Sequence, residues 1–158
     1  MVKKIVLWFL CISWAIGIFC FSAQPADESN ETSLGFTEQI VRFFADINII
    51  DLPQDAVEAS LVIDNICENI NTLIRKIAHF SIYLILGVLV ILLINCYKMG
   101  WKSVLAALLV CLLYAISDEI HQLFVPGRAG MVMDVGIDFL GSASGIGGLK
   151  ALKRIFKR

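Results

Sequence analysis

Apolar residues along this chain gather into four blocks, Ile5 to Phe21, Ile77 to Tyr97, Val104 to Ser117 and Val132 to Leu149, separated by segments of mixed polarity. A spanning helix needs roughly 20 largely apolar residues. The first two blocks meet that length. The third and fourth meet it only if the polar residues at their ends also sit at membrane depth, which gives expected spans of about 5–22, 77–97, 102–122 and 132–149.

Residues 23–76 form the long connection between the first two spans, and they too carry periodicity. Phe36, Ile40, Phe43 and Ile47 recur at helical spacing, with Glu38, Arg42 and Asp46 between them, as in a helix lying in the headgroup plane. After Pro53 a second pattern of Val57, Leu61, Ile66, Ile70, Ile74 and Ile77 runs without a breaker into the second span. The chain is thus predicted to be all-α: one domain over residues 1–158, a polytopic membrane helix bundle with four transmembrane helices, plus amphipathic helical segments in the first outer loop.

Composition agrees with the membrane class, since 58% of the residues are hydrophobic and 17% charged. Charge then sets an expected orientation. Lys3, Lys4, Lys98, Lys102, Lys150, Lys153, Arg154, Lys157 and Arg158, nine of the thirteen basic residues, fall on one side of the four spans. Basic residues are retained on the cytoplasmic side. Both termini are therefore expected in the cytoplasm, with the basic tail 150–158 against anionic membrane lipid. A cleaved signal peptide is the alternative for the first block, although its apolar run of about 17 residues exceeds the roughly 7 to 15 of a signal core. Cys11, Cys20, Cys96 and Cys111 fall inside the spans and Cys67 in the loop, with no spacing that marks a disulfide framework or zinc ribbon. The sequence carries no nucleic-acid motif and names no cofactor.

The rise of about 1.5 Å per residue converts distance from the cytoplasmic lysines into depth. Tyr83 and His79 lie about 22 and 28 Å above Lys98, Asp118 about 24 Å above Lys102, Asp138 and Asp134 about 18 and 24 Å above Lys150, and Ser22 about 27 Å above Lys4. Ser22, His79, Tyr83, Asp118, Glu119, Asp134 and Asp138 are thereby expected in one layer of the outer leaflet. Residues three or four apart share a helix face. Arg75, His79 and Tyr83 step along one face of the second span, and Tyr114, Asp118, His121 and Gln122 along one face of the third. Asp134, Asp138, Gly141 and Gly145 do so on the fourth, the last two as a Gly-x-x-x-Gly pair suited to close backbone approach. Pro126 and Gly127 mark a turn that returns Arg128 over the layer.

Several of these residues also carry a resemblance. Phe21, Ser22 and Gln24 close the first span; Arg75, Lys76, His79, Phe80, Tyr83, Leu86 and Gly87 enter the second; a continuous run from Ser117 through Asp118, Glu119, His121 and Gln122 to Arg128 follows; and Asp134, Val135, Asp138 and Gly141 open the fourth. In this pattern the chain resembles the VanZ-like family of bacterial membrane proteins, with Asp138 where that family often has Asn. The resemblance covers all four spans and leaves most of the outer loop and the tail outside it. It implies a cell-envelope protein, and a contribution to resistance against teicoplanin-type glycopeptides.

Inserting an Asp near a helix centre costs about 2.5 to 3.5 kcal/mol, whereas interhelical polar contacts in membranes return about 0.6 kcal/mol on average. Four carboxylates in one layer therefore point to function more than to helix register. An enzyme acting on a lipid-linked or cell-wall substrate would use Glu119 or Asp134 as general base and His121 or His79 as acid, with Asp118 beside them. Arg128, Lys76, Arg75, Gln122, Ser22, Gln24, Tyr83 and Asp138 would bind the substrate, a lipid-linked cell-wall precursor or a glycopeptide antibiotic. A non-catalytic binder of a lipid headgroup or antibiotic would use the same residues, as would a proton or ion pathway in an oligomer. A metal variant of the enzyme would take ligands from His79, Glu119, His121, Asp134 and Asp138, but no fixed metal-ligand spacing is present, so no metal residues are assigned.

Overall fold

The computed structural model describes residues 1–156, and these form five α-helices: α1 Val2–Ser22, α2 Ala26–Asp46, α3 Ala56–Asn95, α4 Lys102–Gln122 and α5 Val132–Ile155. Among the described residues no strand is present. Three helices, α1, α3 and α4, are long and apolar enough to cross a membrane. Only 22% of the apolar window of α1 is buried by protein, which leaves Phe9, Ile12, Ile16 and Phe19 facing outward. An apolar belt of that extent needs lipid rather than water around it.

Helix α3 begins where Asp55 accepts hydrogen bonds from the backbone amides of Val57 and Glu58, at 2.9 and 3.0 Å. No proline follows Pro53 until Pro126, and the helix continues for 40 residues, about 60 Å. Its first half packs on α2. Val41, Ile63 and Cys67 are buried there, bordered by Leu34, Ile66 and Ile70. Asn71 bridges the pair, accepting from Thr37 at 3.2 Å and donating to the side chain of Asn30 at 2.9 Å. Helix α2 meets α3 through Leu34, Thr37 and Val41, while Phe36, Phe43 and Ile47 of the expected apolar stripe stand exposed.

The second half of α3 supplies the centre of the main core. Tyr83, Leu86, Val90, Ile91 and Leu93 pack with Leu7, Cys11 and Ile18 of α1, with Ala107, Cys111 and Ala115 of α4, and with Ile146 of α5. Helix α5 lies parallel to α3 in almost direct backbone contact. A methyl group added at Gly141 would collide with the Phe80 carbonyl, one at Gly145 with the Leu84 carbonyl, and one at Gly87 with the Ser142 carbonyl. The Gly-x-x-x-Gly pair thus finds its partner surface on α3. Ser142 adds a hydrogen bond to the Tyr83 carbonyl at 3.1 Å.

At one end of this core, Trp8 donates to the Tyr97 hydroxyl at 3.1 Å and Lys4 sits over the Tyr97 ring. Helix α5 runs past Leu149 to Ile155 at that end, so Lys150, Lys153 and Arg154 are helical. Lys157 and Arg158 of the expected tail lie outside the described residues. The opposite end gathers the acidic residues, and the candidate site is there.

Candidate functional site

Asp118 is the hub of the polar end. Its helix α4 brings it, 2% exposed, against α1 and α3, where Ser22 donates to Oδ2 at 2.8 Å and Tyr83 donates to the same atom at 3.1 Å. Gln122, one turn on, reaches both Asp118 Oδ2 and Ser22 Oγ at 3.5 Å. Three helices are thereby joined through one carboxylate oxygen. The facing pair beside it is His79 of α3 and Asp138 of α5, with Nδ1 and Oδ1 3.5 Å apart. Asp138 is buried and His79 half-buried, so the pair closes the gap between α3 and α5 one turn above the glycine contact.

The loop after α4 is held by three anchors. The Glu119 carboxylate accepts a hydrogen bond from the backbone amide of Met131, the residue that caps α5. Arg128 Nε donates to the Gln24 carbonyl at 3.0 Å, and the Ala26 amide donates to the Pro126 carbonyl at 3.1 Å. Gly127, with φ of +74°, makes the turn that brings the loop against Ala26.

Above this floor lie two cavities. The first, about 340 Å³, is a polar chamber walled by Arg75, Lys76 and His79 of α3, Gln122 of α4, Arg128 of the loop and Asp134 of α5. The second, about 310 Å³, runs between α2 and α3 beside the end of α1, and its wall is more apolar, with Phe21, Phe36, Ile74, Ala78 and Ile82. Arg75, His79 and Arg128 line both. Among the described residues, none of Arg75, Lys76 and Arg128 has a carboxylate within 4.0 Å. Burial and then the neighbouring Arg75 guanidinium hold Arg128 below its usual basicity. The chamber wall therefore carries more positive than negative charge, three cations against the carboxylate of Asp134.

The sequence model of the VanZ/LLP1 family matches residues 7–154. The chain belongs to the VanZ/LLP1 family. No curated protein and no solved structure matches it.

Within this VanZ/LLP1 chain the candidate residues separate into distinct groups. Arg75, Lys76, His79, Gln122, Arg128 and Asp134 line the chamber. Ser22 and Gln24 line the apolar cavity, while Tyr83, Asp118 and Asp138 lie in the buried floor. Glu119 is turned to the start of α5, and His121 to α1, where its ring stacks on Phe19 at 4.1 Å between centroids. Neither Glu119 nor His121 lines either cavity. Among the described residues no group of three His, Cys, Asp or Glu side chains is disposed to hold a metal ion. Asn71 and Thr72 extend the polar surface beyond the expected set, Asn71 in the α2 contact and Thr72 in the chamber wall. The four-residue step Tyr83, His79, Arg75 leads directly to Asn71, so the same spacing carried one turn further would have found it.

Proposed function

We propose that this VanZ/LLP1 protein crosses the bacterial cytoplasmic membrane four times, with both termini in the cytoplasm, and binds the anionic headgroup of a membrane-borne envelope substrate in an outward-facing chamber. The fourth crossing is α5, whose glycine face lies along α3 from Phe80 to Val88 and whose 24 residues reach about 36 Å. Its glycines and two aspartates lower its apolar content, but Gly141 and Gly145 pack on α3, Asp138 is buried, and Asp134 lines the chamber. Four crossings would put the basic residues of both termini on one side, as cytoplasmic retention requires.

The observation that carries the headgroup reading is the convergence of Arg75, Lys76 and Arg128 on one chamber without an ion-pair partner. Guanidinium and ammonium groups in that setting bind phosphate or carboxylate. Recognition fits the geometry better than catalysis. Asp118 and Glu119 are committed to protein hydrogen bonds, and Asp138 faces His79. His79 and Asp134 are the acid–base groups left on the chamber wall. Through an envelope substrate, a lipid-linked cell-wall precursor or the phosphorylated lipid that carries it, the protein would contribute to teicoplanin-type resistance.

Deletion of the gene and complementation with alanine variants at Arg75, Arg128, Asp134 and Glu119 tests this reading. Arg75→Ala and Arg128→Ala should fail to restore teicoplanin tolerance and the normal level of lipid-linked precursors. Restoration of both by the two arginine variants would count against the headgroup site.

A further inference from the structure

Resting on that headgroup reading, we propose that the occupant is a lipid phosphomonoester, with its phosphate in the chamber and the first part of its hydrocarbon chain in the neighbouring cavity between α2 and α3. Two independent features meet here. The chamber supplies the charge, and the cavity beside it supplies an apolar lining that no side chain of the described residues fills.

Counting formal charges on the chamber wall, Arg75, Lys76 and Arg128 give three positive and Asp134 one negative, a net of plus two (3 − 1). A phosphomonoester carries close to two negative charges near neutral pH, since its second pKa is about 6. A phosphodiester carries one. The dianion therefore balances the wall, and its three terminal oxygens can accept from Arg75, Lys76 and Arg128 together.

The second cavity has the shape and lining for a chain. Along α3 it extends from Ile74 to Ile82, about 12 Å. Ala78 on α3 leaves room at its centre, and Phe36 of α2 and Phe21 of α1 close its sides. Those two phenylalanines are themselves more than half exposed, so the cavity opens outward past them rather than ending in the protein core. Arg75, His79 and Arg128 belong to both walls, which puts the charged group at the junction and the chain beyond it. An amphiphile entering from the outer leaflet would meet the apolar opening with its chain and the cations with its phosphate. A free phosphate would use the chamber alone.

The purified full-length protein in nanodiscs of phosphatidylcholine provides the test, with two separate readouts. Native mass spectrometry reads retention of added dioleoyl phosphatidic acid against dioleoyl phosphatidylglycerol. Phosphatidic acid carrying a diazirine in its acyl chain reads where that chain lies, through cross-links mapped by peptide sequencing. Phosphatidic acid should be retained at least fivefold over phosphatidylglycerol, and cross-links should concentrate on Ser33 to Phe36 and Ala78 to Ile82. Arg75→Gln and, independently, Lys76→Gln should each reduce retention severalfold while leaving the size-exclusion profile unchanged. Inorganic phosphate at millimolar concentration should not displace the cross-link.

Equal retention of the two lipids would overturn the phosphomonoester assignment. Preferred retention of phosphatidic acid with cross-links spread along the outer belts of α1 and α4 would overturn the chain placement and leave the headgroup reading standing. Retention of neither lipid above phosphatidylcholine would remove both.

Discussion

Tyr83 of α3 and Asp118 of α4 share one hydrogen bond, from the phenol to Oδ2 across 3.1 Å, at a point where Tyr83 is fully buried. Ser22 of α1 completes the junction on the same oxygen at 2.8 Å. Tyr83→Phe removes one donor and leaves Asp118 with Ser22 and Gln122, so it should destabilise the protein by about 1 kcal/mol. Asp118→Ala strands the Tyr83 and Ser22 hydroxyls together and should cost more than Tyr83→Phe. Unfolding curves in mixed micelles would read the order of the two variants.

The glycines of α5 divide sharply by their surroundings. Gly145→Leu drives a side chain into the Leu84 carbonyl and should destabilise by at least about 2 kcal/mol. Gly136→Ala and Gly147→Ala meet nothing within 4 Å. These two should leave stability within about 0.5 kcal/mol of the parent or raise it, because alanine favours a helix. Thermal melts of the three variants, compared in one detergent, would show the contrast.

The glycine face was readable in the sequence because a four-residue repeat survives projection onto any helix. Its partner was not. Phe80 and Leu84 contribute carbonyl oxygens to the contact, and backbone atoms leave no trace in residue type. The polar layer was readable for a similar reason: depth depends only on the rise per residue, and it groups Ser22, Tyr83 and Asp118 without knowledge of helix rotation. Rotation decides what that layer does. Glu119 and Asp118 are neighbours in sequence at equal depth, yet one ties down a loop and the other joins three helices. On α2 the large side chains of Phe36 and Phe43 outweigh Thr37 and Val41 in any hydrophobic pattern, although the smaller pair makes the contact with α3.

Glu119 is an anchor for the first turn of α5, and its substitutions should separate anchoring from charge. Glu119→Gln keeps an acceptor for the Met131 amide and should retain headgroup binding within about threefold, a change under about 0.7 kcal/mol. Glu119→Ala leaves that amide without its partner and should destabilise by about 1 to 2 kcal/mol, with faster proteolysis between Leu123 and Met131. Equal loss of binding in both variants would show that the charge itself is needed.

The four-span arrangement makes a prediction that is independent of the ligand. In a background with all five native cysteines replaced by alanine, Asp51→Cys should react with a membrane-impermeant maleimide on intact cells. Met99→Cys, in the turn between α3 and α4, should react only after the cells are opened. Labelling of both positions on intact cells would rule out the proposed orientation.

Helix α3 carries a mechanical consequence. Arg75, Lys76 and His79 are mounted midway on one unbroken shaft whose upper part is gripped by α2 and whose lower part is locked to α5 by glycine contacts. Any load applied near Asp55 at its free end would turn or tilt these three side chains as a single unit against Arg128 and Asp134, which are fixed to other elements. The chamber therefore has a lever arm about 30 Å long attached to one wall, through which a displacement of the projecting α2–α3 hairpin would reach the headgroup site.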